Sequence, residues 1–372
     1  MHRLRKRALG IALGSTALGG LVLAGAASAS AATLPRAGNA LGWVYTSTNS
    51  AAANQVEVFA RTGDGTLTLA GTYNTGGAGT TANYGQGSVT LSPNHQTLLV
   101  VDAGSNQVSD FAVLPGGGLR LRNTVASGGA TPTSVAIRGG LAEVLNSGGT
   151  ANVAGFFATP AGLVPIPGGS QPLSAGASSP EDIAISPGDG HVVVTEKVSD
   201  TIDTFAVRPG GALAPAVTSP SDSPLSFAEV FTRSGQLLVA DDGANDTSAV
   251  SPYRITASGT LDATQAAVSD GQTAACWITL GSNGKVFVDN AGSGSIASYQ
   301  LSPWGQLTFL SNTSAGTGAG PLDNSVSSDG RNLYTVIGNQ DQIAEFSIGP
   351  DGQLTAIGTQ ALPAGSEGIA AS

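Results

Sequence analysis

The stretch PEDIAISPGDGHVVVTEKVSDTIDTF, Pro180 to Phe205, contains three short apolar runs. A Pro-Gly turn at Pro187-Gly188 separates the first two, a polar loop follows Glu196, and the third ends on Phe205. Short β-branched runs bounded by such turns read as antiparallel strands. The stretch is too short to enclose a core of its own, so what matters is whether it recurs. It does: Phe59, Phe111, Phe156, Phe205, Tyr253, Tyr299 and Phe346 follow one another at intervals of 52, 45, 49, 48, 46 and 47. Six of these aromatics have a leucine eight positions later (Leu67, Leu119, Leu213, Leu261, Leu307, Leu354), and the third has Leu163 at seven.

Each unit repeats one grammar. A short strand meets a turn such as SPNHQ, SPGDG or SSDGR, and a Val/Leu-rich strand follows. A polar loop, the strand ending on the aromatic, a Gly-rich turn and a last strand complete it. Four strands in a unit of about 45 residues describe the blade of a β-propeller. The composition agrees, with 53 glycines and only 11% charged residues in 372. The expected fold is therefore all-β, a seven-bladed β-propeller of four-stranded antiparallel blades. The first unit starts on a second strand at LGWVYTSTNS, and SEGIAAS at the C-terminus matches the first strand of other units. The C-terminal strand should thus close the first blade and remove two exposed sheet edges.

Residues 1–31 read as a secretory signal peptide. Arg3, Arg5, Lys6 and Arg7 precede an apolar run and small-residue sites, which places cleavage within Ala29 to Ala32 on the general secretory route. A short segment, 32–39, leads into the propeller at 40–372. No later run reaches the roughly 18 apolar residues of a spanning helix, so no membrane insertion is expected. The expected product is a secreted, extracellular monomer. The full chain carries a formal charge of −10, and loss of the four signal cations makes it −14, which opposes nucleic acid and anionic surfaces. Cys276 is the single cysteine, so no intrachain disulfide can form.

Strand order also locates a candidate site. In an antiparallel meander, the start of the innermost strand, the end of the second strand and the loop that follows share one face, the mouth. Counting from the SP-type turns places Gly87, Thr133, Glu181, Ala275, Leu322 and Glu367 in one ring. Ser88, Ser134, Asp182, Cys276, Asp323 and Gly368 form the next; the fifth unit, two residues longer here, does not align directly. Second strands end on Asp102, Ser147, Glu196, Asp241 and Asn290, with Asp242 and Asp246 beyond and Lys197 as the cation of that side. Asp and Asn after a strand commonly close the turn through their side chains. Converging carboxylates can instead hold a hard cation, so Ca2+ at the mouth is the one cofactor considered. The loop DDGAND, Asp241 to Asp246, lacks the spacing and distal Glu of an EF-hand. His95 and His191 fall in turns of the opposite face and His2 in the signal, which leaves the mouth without an imidazole base.

The repeated pattern SP-x-G, VV-x-(D/E), V-x-x-F-x-V and G-x-L resembles the lactonase-type seven-bladed propellers, which include the bacterial 6-phosphogluconolactonase of this fold and a fungal carboxymuconate-lactonizing enzyme. The resemblance covers residues 40 to 372. It implies Pro-Arg-His at the start of the fourth blade and Asn-Glu at the end of its second strand. Here Pro180 and Glu196 match, but Glu181 stands at the arginine position and Asp182 at the histidine position. Two readings follow. One is a binding or scaffold propeller whose acidic mouth (Asp102, Glu181, Asp241, Asp323, Glu367, with Lys197) meets a small molecule, a cation, a glycan or a peptide. The other is an extracellular lactonase or cycloisomerase for a neutral lactone, with Glu196 as base and Asp182, Asp323 or a bound cation orienting water.

Overall fold

Each recurring aromatic lies in the third strand of its own antiparallel sheet and is almost fully buried. The computed structural model describes residues 40–81, 86–174, 179–243 and 247–372. The expected signal peptide, the segment 32–39 and Asp246 lie outside the described residues. Seven sheets follow one another along the chain, and their innermost strands pack side by side around a central channel. Numbered by these inner strands, blades 1 to 7 begin on Glu367–Ala371, Val89–Leu91, Ala130–Arg138, Pro180–Ile185, Ser226–Phe231, Ala275–Leu280 and Pro321–Val326. Every blade has four strands in inner-to-outer order, except that the outer strand of blade 5 is split into Leu261–Ala263 and Val268–Ser269.

The local chemistry explains the repeat. Valines and leucines of the second strands are buried on both faces because each blade is covered by its neighbours, so these strands read as continuous apolar runs. The leucine after each aromatic stands near the start of the outer strand, where it packs against the preceding blade. Between the third and outer strands, six blades close a turn by the same hydrogen bond. Its first carbonyl accepts from the amide of a left-handed glycine, Gly65, Gly117, Gly211, Gly259, Gly305 or Gly352. That conformation has a low cost only without a Cβ.

The ring closes as the termini imply. The C-terminal strand pairs with Gly42–Ser47 in the register Val44↔Ala371 and Thr46↔Ile369. Trp43 and Ser372 extend the pairing, the Ser372 amide donating to the Trp43 carbonyl at 2.8 Å. Blades 7 and 1 are tied further out by buried Arg61, which reaches Asp329 at 3.0 Å, Asn332 at 3.3 Å and the Leu41 carbonyl at 3.0 Å.

The strand registers correct one alignment. Ala275 faces Asn290 as Pro180 faces Glu196, so Cys276 shares the position of Glu181 and Trp277 that of Asp182. Counting from the turn misplaced them because that turn closes from Gly281 to Lys285 in blade 6 but from Ser186 to His191 in blade 4, one residue longer. The unaligned fifth unit supplies Phe227 and Ala228 to the same two rings.

Candidate functional site

The mouth carboxylates divide by what holds them. Those that end second strands are bound to the segment by which the chain arrives from the preceding blade. Asp102 is fully buried and accepts from Asn54 Nδ2 at 3.0 Å, Thr75 Oγ1 at 2.6 Å and Ser109 Oγ at 2.6 Å. Asp241 accepts from Ser226 Oγ at 2.9 Å and from Ser251 Oγ. Burial pushes the Asp241 carboxyl up to about 8 against the pull of these hydroxyls. Glu196, also fully buried, accepts from Ser174 at 3.5 Å and Ser199 at 3.3 Å. Asn290 donates to Asp270 at 2.9 Å. In blade 3 the equivalent residue is Asn146, which donates to the Ser127 carbonyl at 3.1 Å, rather than Ser147. Loop residues serve the same end: Asp200 and Asp242 accept from the amides of Leu225 and Ala274, both at 2.7 Å, where the chain enters the next blade.

A second set surrounds the channel. Asp182 accepts from Ser134 Oγ at 2.9 Å, Gln86 Nε2 at 3.1 Å and the amides of Glu229 at 3.0 Å and Ile183 at 2.8 Å. The other end of Gln86 accepts from the Ile278 amide at 2.7 Å, so this side chain from blade 2 spans from blade 4 to blade 6. Asp323 accepts from the amides of Gly87 and Ile369. Glu367 is buried with Oε2 unpartnered among the described residues. Burial raises the carboxyls of Asp182, Glu229, Asp323 and Glu367, and their mutual repulsion adds to the rise. Beneath Gln86, a cavity of about 240 Å3 runs toward the opposite face between Val135, Ile183, Ile185, Val230 and Phe231.

The rim is different again. The Lys197 ammonium lies 4.5 Å from the centre of the Phe227 ring and 3.8 Å from Glu181. Phe227 packs on Trp277 with ring centres 5.1 Å apart, and the buried Trp277 Nε1 has no hydrogen-bond partner among the described residues. Cys276 is buried and donates to the Ala274 carbonyl, and burial raises its thiol. Among the described residues, no three His, Cys, Asp or Glu side chains form a group able to hold a metal. His95 and His191 stand in turns of the other face.

The lactonase seven-bladed β-propeller family model matches residues 48–147, from blade 1 into blade 3. The chain is a seven-bladed β-propeller, and its match to that family model is confined to these residues. A structure from Bacteroides uniformis assigned as a 6-phosphogluconolactonase superposes with a TM-score of 0.71 at 18% identity, covering 90% of this chain and 100% of that one. A Bacteroides fragilis structure of the same assignment gives 0.68 at 17%, covering 89% and 98%. The periplasmic gluconolactonase of Pseudomonas aeruginosa gives 0.69 at 18%, covering 88% and 98%. At these identities the likeness concerns the fold. No curated protein matches the sequence.

Within this seven-bladed frame, the structure does not unite the sequence candidates in one cluster. Glu181 and Lys197 meet at the rim, and Asp182, Asp323 and Glu367 line the channel. Asp102 and Asp241 stand in separate ties, and Glu196 shares none of the hydrogen-bond partners shown for Asp182. Phe227 and Trp277 were hidden by the turn-length difference, whereas Gln86 occupies no repeating position that could have marked it.

Proposed function

We propose that this chain is a binding propeller of lactonase type whose mouth takes a neutral small molecule and does not hydrolyse anionic lactones. The observation that carries the reading is Gln86. Its amide spans the channel and, with three other donors, occupies the carboxylate at the position where the resemblance implies a histidine. With four donors of the fold on it, that carboxylate is committed to holding blades together, and its described neighbours Glu229 and Asp323 offer a phosphate or carboxylate no cation to pair with. What remains at the rim is one lysine, balanced by Glu181 and seated on the buried Phe227–Trp277 pair. A rim whose one cation is already paired suits a neutral ligand.

Support for export is the basic, apolar and Ala-x-Ala order of residues 1–31; N-terminal sequencing of the protein recovered from the culture medium tests it. The second reading is a lactonase or cycloisomerase for a neutral lactone with Glu196 as base. It is favoured by the family match and by the burial of Glu196 beside two serine hydroxyls.

One experiment separates the readings: incubation of the purified protein with glucono-1,5-lactone and its 6-phosphate, beside Glu196→Gln and Phe227→Ala. Binding without turnover is expected for the neutral lactone, weakened in Phe227→Ala and unchanged in Glu196→Gln. Turnover of either lactone that disappears in Glu196→Gln would replace the binding reading by the enzymatic one.

A further inference from the structure

The turn between third and outer strands is repeated through the chain, so it provides internal controls. In six blades it closes through the same hydrogen bond onto a left-handed glycine. The residue before that glycine is Asp64, Gly116, Gly210, Ser258 and Asp351 in blades 1, 2, 4, 5 and 7. These are small turn formers, as the geometry favours. In blade 6 it is Trp304, which is 94% exposed. The fold gains nothing from an indole in water at a site where aspartate or glycine serves elsewhere, and large exposed aromatic surface marks contact with something else.

Trp304 stands at the edge of a cleft of about 560 Å3 between blades 5 and 6, on the face opposite the mouth. Its walls are fixed. Gln236 Nε2 donates to the Gly305 carbonyl and to Thr264 Oγ1, both at 2.9 Å, and Gln265 bonds the Leu307 amide and carbonyl, each at 2.9 Å. Two groups in the cleft remain available. Among the described residues Arg254 has only a 3.5 Å contact with Asp262, both side chains being largely exposed, and the side-chain amide of Gln306 makes no hydrogen bond. The cleft therefore offers one flat apolar platform flanked by amide, hydroxyl and guanidinium groups. A sugar ring presents the complementary pairing, an apolar C–H face bordered by hydroxyls. A hydrophobic peptide would need an apolar lining that is missing here. An anionic polymer would face a chain of formal charge −10.

We infer that the cleft between blades 5 and 6 binds a neutral carbohydrate chain, with Trp304 as the stacking platform and Arg254 and Gln306 as hydrogen-bond donors. The site is separate from the mouth and does not depend on the function assigned there.

The test is titration of the full chain with cellohexaose, chitohexaose, laminarihexaose, maltohexaose and xylohexaose, followed by tryptophan fluorescence and calorimetry. Trp304→Asp installs the residue that the same turn carries in blades 1 and 7, so the fold should persist. Trp304→Tyr keeps an aromatic platform, and Phe227→Ala probes the mouth. Saturable binding of at least one oligosaccharide is expected, weakened about tenfold or more in Trp304→Asp. It should be largely retained in Trp304→Tyr and unchanged in Phe227→Ala. Absence of binding to the whole panel would overturn the inference, as would binding that survives Trp304→Asp. A concentration-dependent dimer that dissociates in Trp304→Asp, without sugar binding, would overturn it in favour of self-association.

Discussion

Glu143 lies in the second strand of blade 3, where the corresponding residues of the other blades are Tyr45, Leu99, Val193, Leu238, Phe287 and Tyr334, all fully buried. Space for it comes from Gly155 on the adjacent strand, whose missing Cβ would lie 3.1 Å from the carboxyl. Both carboxyl oxygens are buried without a hydrogen-bond partner among the described residues, and burial pushes the group up to about 8. A carboxyl raised in this way keeps its proton in the folded chain to higher pH than in the unfolded chain. The folded state therefore binds more protons between the ordinary glutamate range and about pH 8, and stability falls as pH rises through that window. Asp241, raised to about 8, and Asp289 and Glu345, raised to about 7, act in the same direction. Urea unfolding should accordingly show a higher midpoint at pH 5.5 than at pH 9. Glu143→Gln should flatten the dependence by removing on the order of 2–4 kcal/mol of loss at the alkaline end. An unchanged slope in Glu143→Gln would mean that Glu143 does not titrate in this range.

The strands were legible because their signals are local: β-branched runs, a turn, and an aromatic followed by leucine at a fixed offset. The links between blades were not. Each joins residues far apart in a chain rich in serine and threonine, so Thr75 and Asp102, or Ser174 and Glu196, carry no mark of partnership until the blades are stacked. The same lack of context made the mouth carboxylates resemble a ligand site. Asp102, for example, already accepts three side-chain donors within the fold. Asp102→Ala should therefore act on stability, costing on the order of 2–4 kcal/mol because three buried donors lose their acceptor together. Ser147→Ala, beside the true tie residue Asn146, should cost less than about 1 kcal/mol. Equal effects in chemical unfolding would count against the tie as the role of the second-strand ends.

A ring of blades without a disulfide depends on its closure. Neighbouring blades are otherwise linked in sequence, but blade 1 is assembled from both ends of the chain, so loss of that join leaves two open strand edges. Closure has an inner and an outer part: the pairing of Glu367–Ala371 with Gly42–Ser47, and the Arg61 cluster with the Glu345 carboxylate accepting from the Leu67 amide at 3.1 Å and the Tyr334 hydroxyl donating to the Gly65 carbonyl at 2.7 Å. Arg61 is 2% exposed. Arg61→Ala removes a buried charge that satisfies Asp329, Asn332 and the Leu41 carbonyl together, and should cost about 3–5 kcal/mol. A double variant with Asp329→Ala should recover part of this, since no unpaired carboxylate then remains. Truncation after Pro363 should be more severe, because it exposes the Gly42–Ser47 edge as a template for pairing with other chains. Light scattering and chemical unfolding distinguish the cases: Arg61→Ala stays monodisperse with a lower urea midpoint, whereas the truncated chain aggregates. A truncated chain that stayed monodisperse with the wild-type midpoint would show that the seven blades hold their ring without the joined ends.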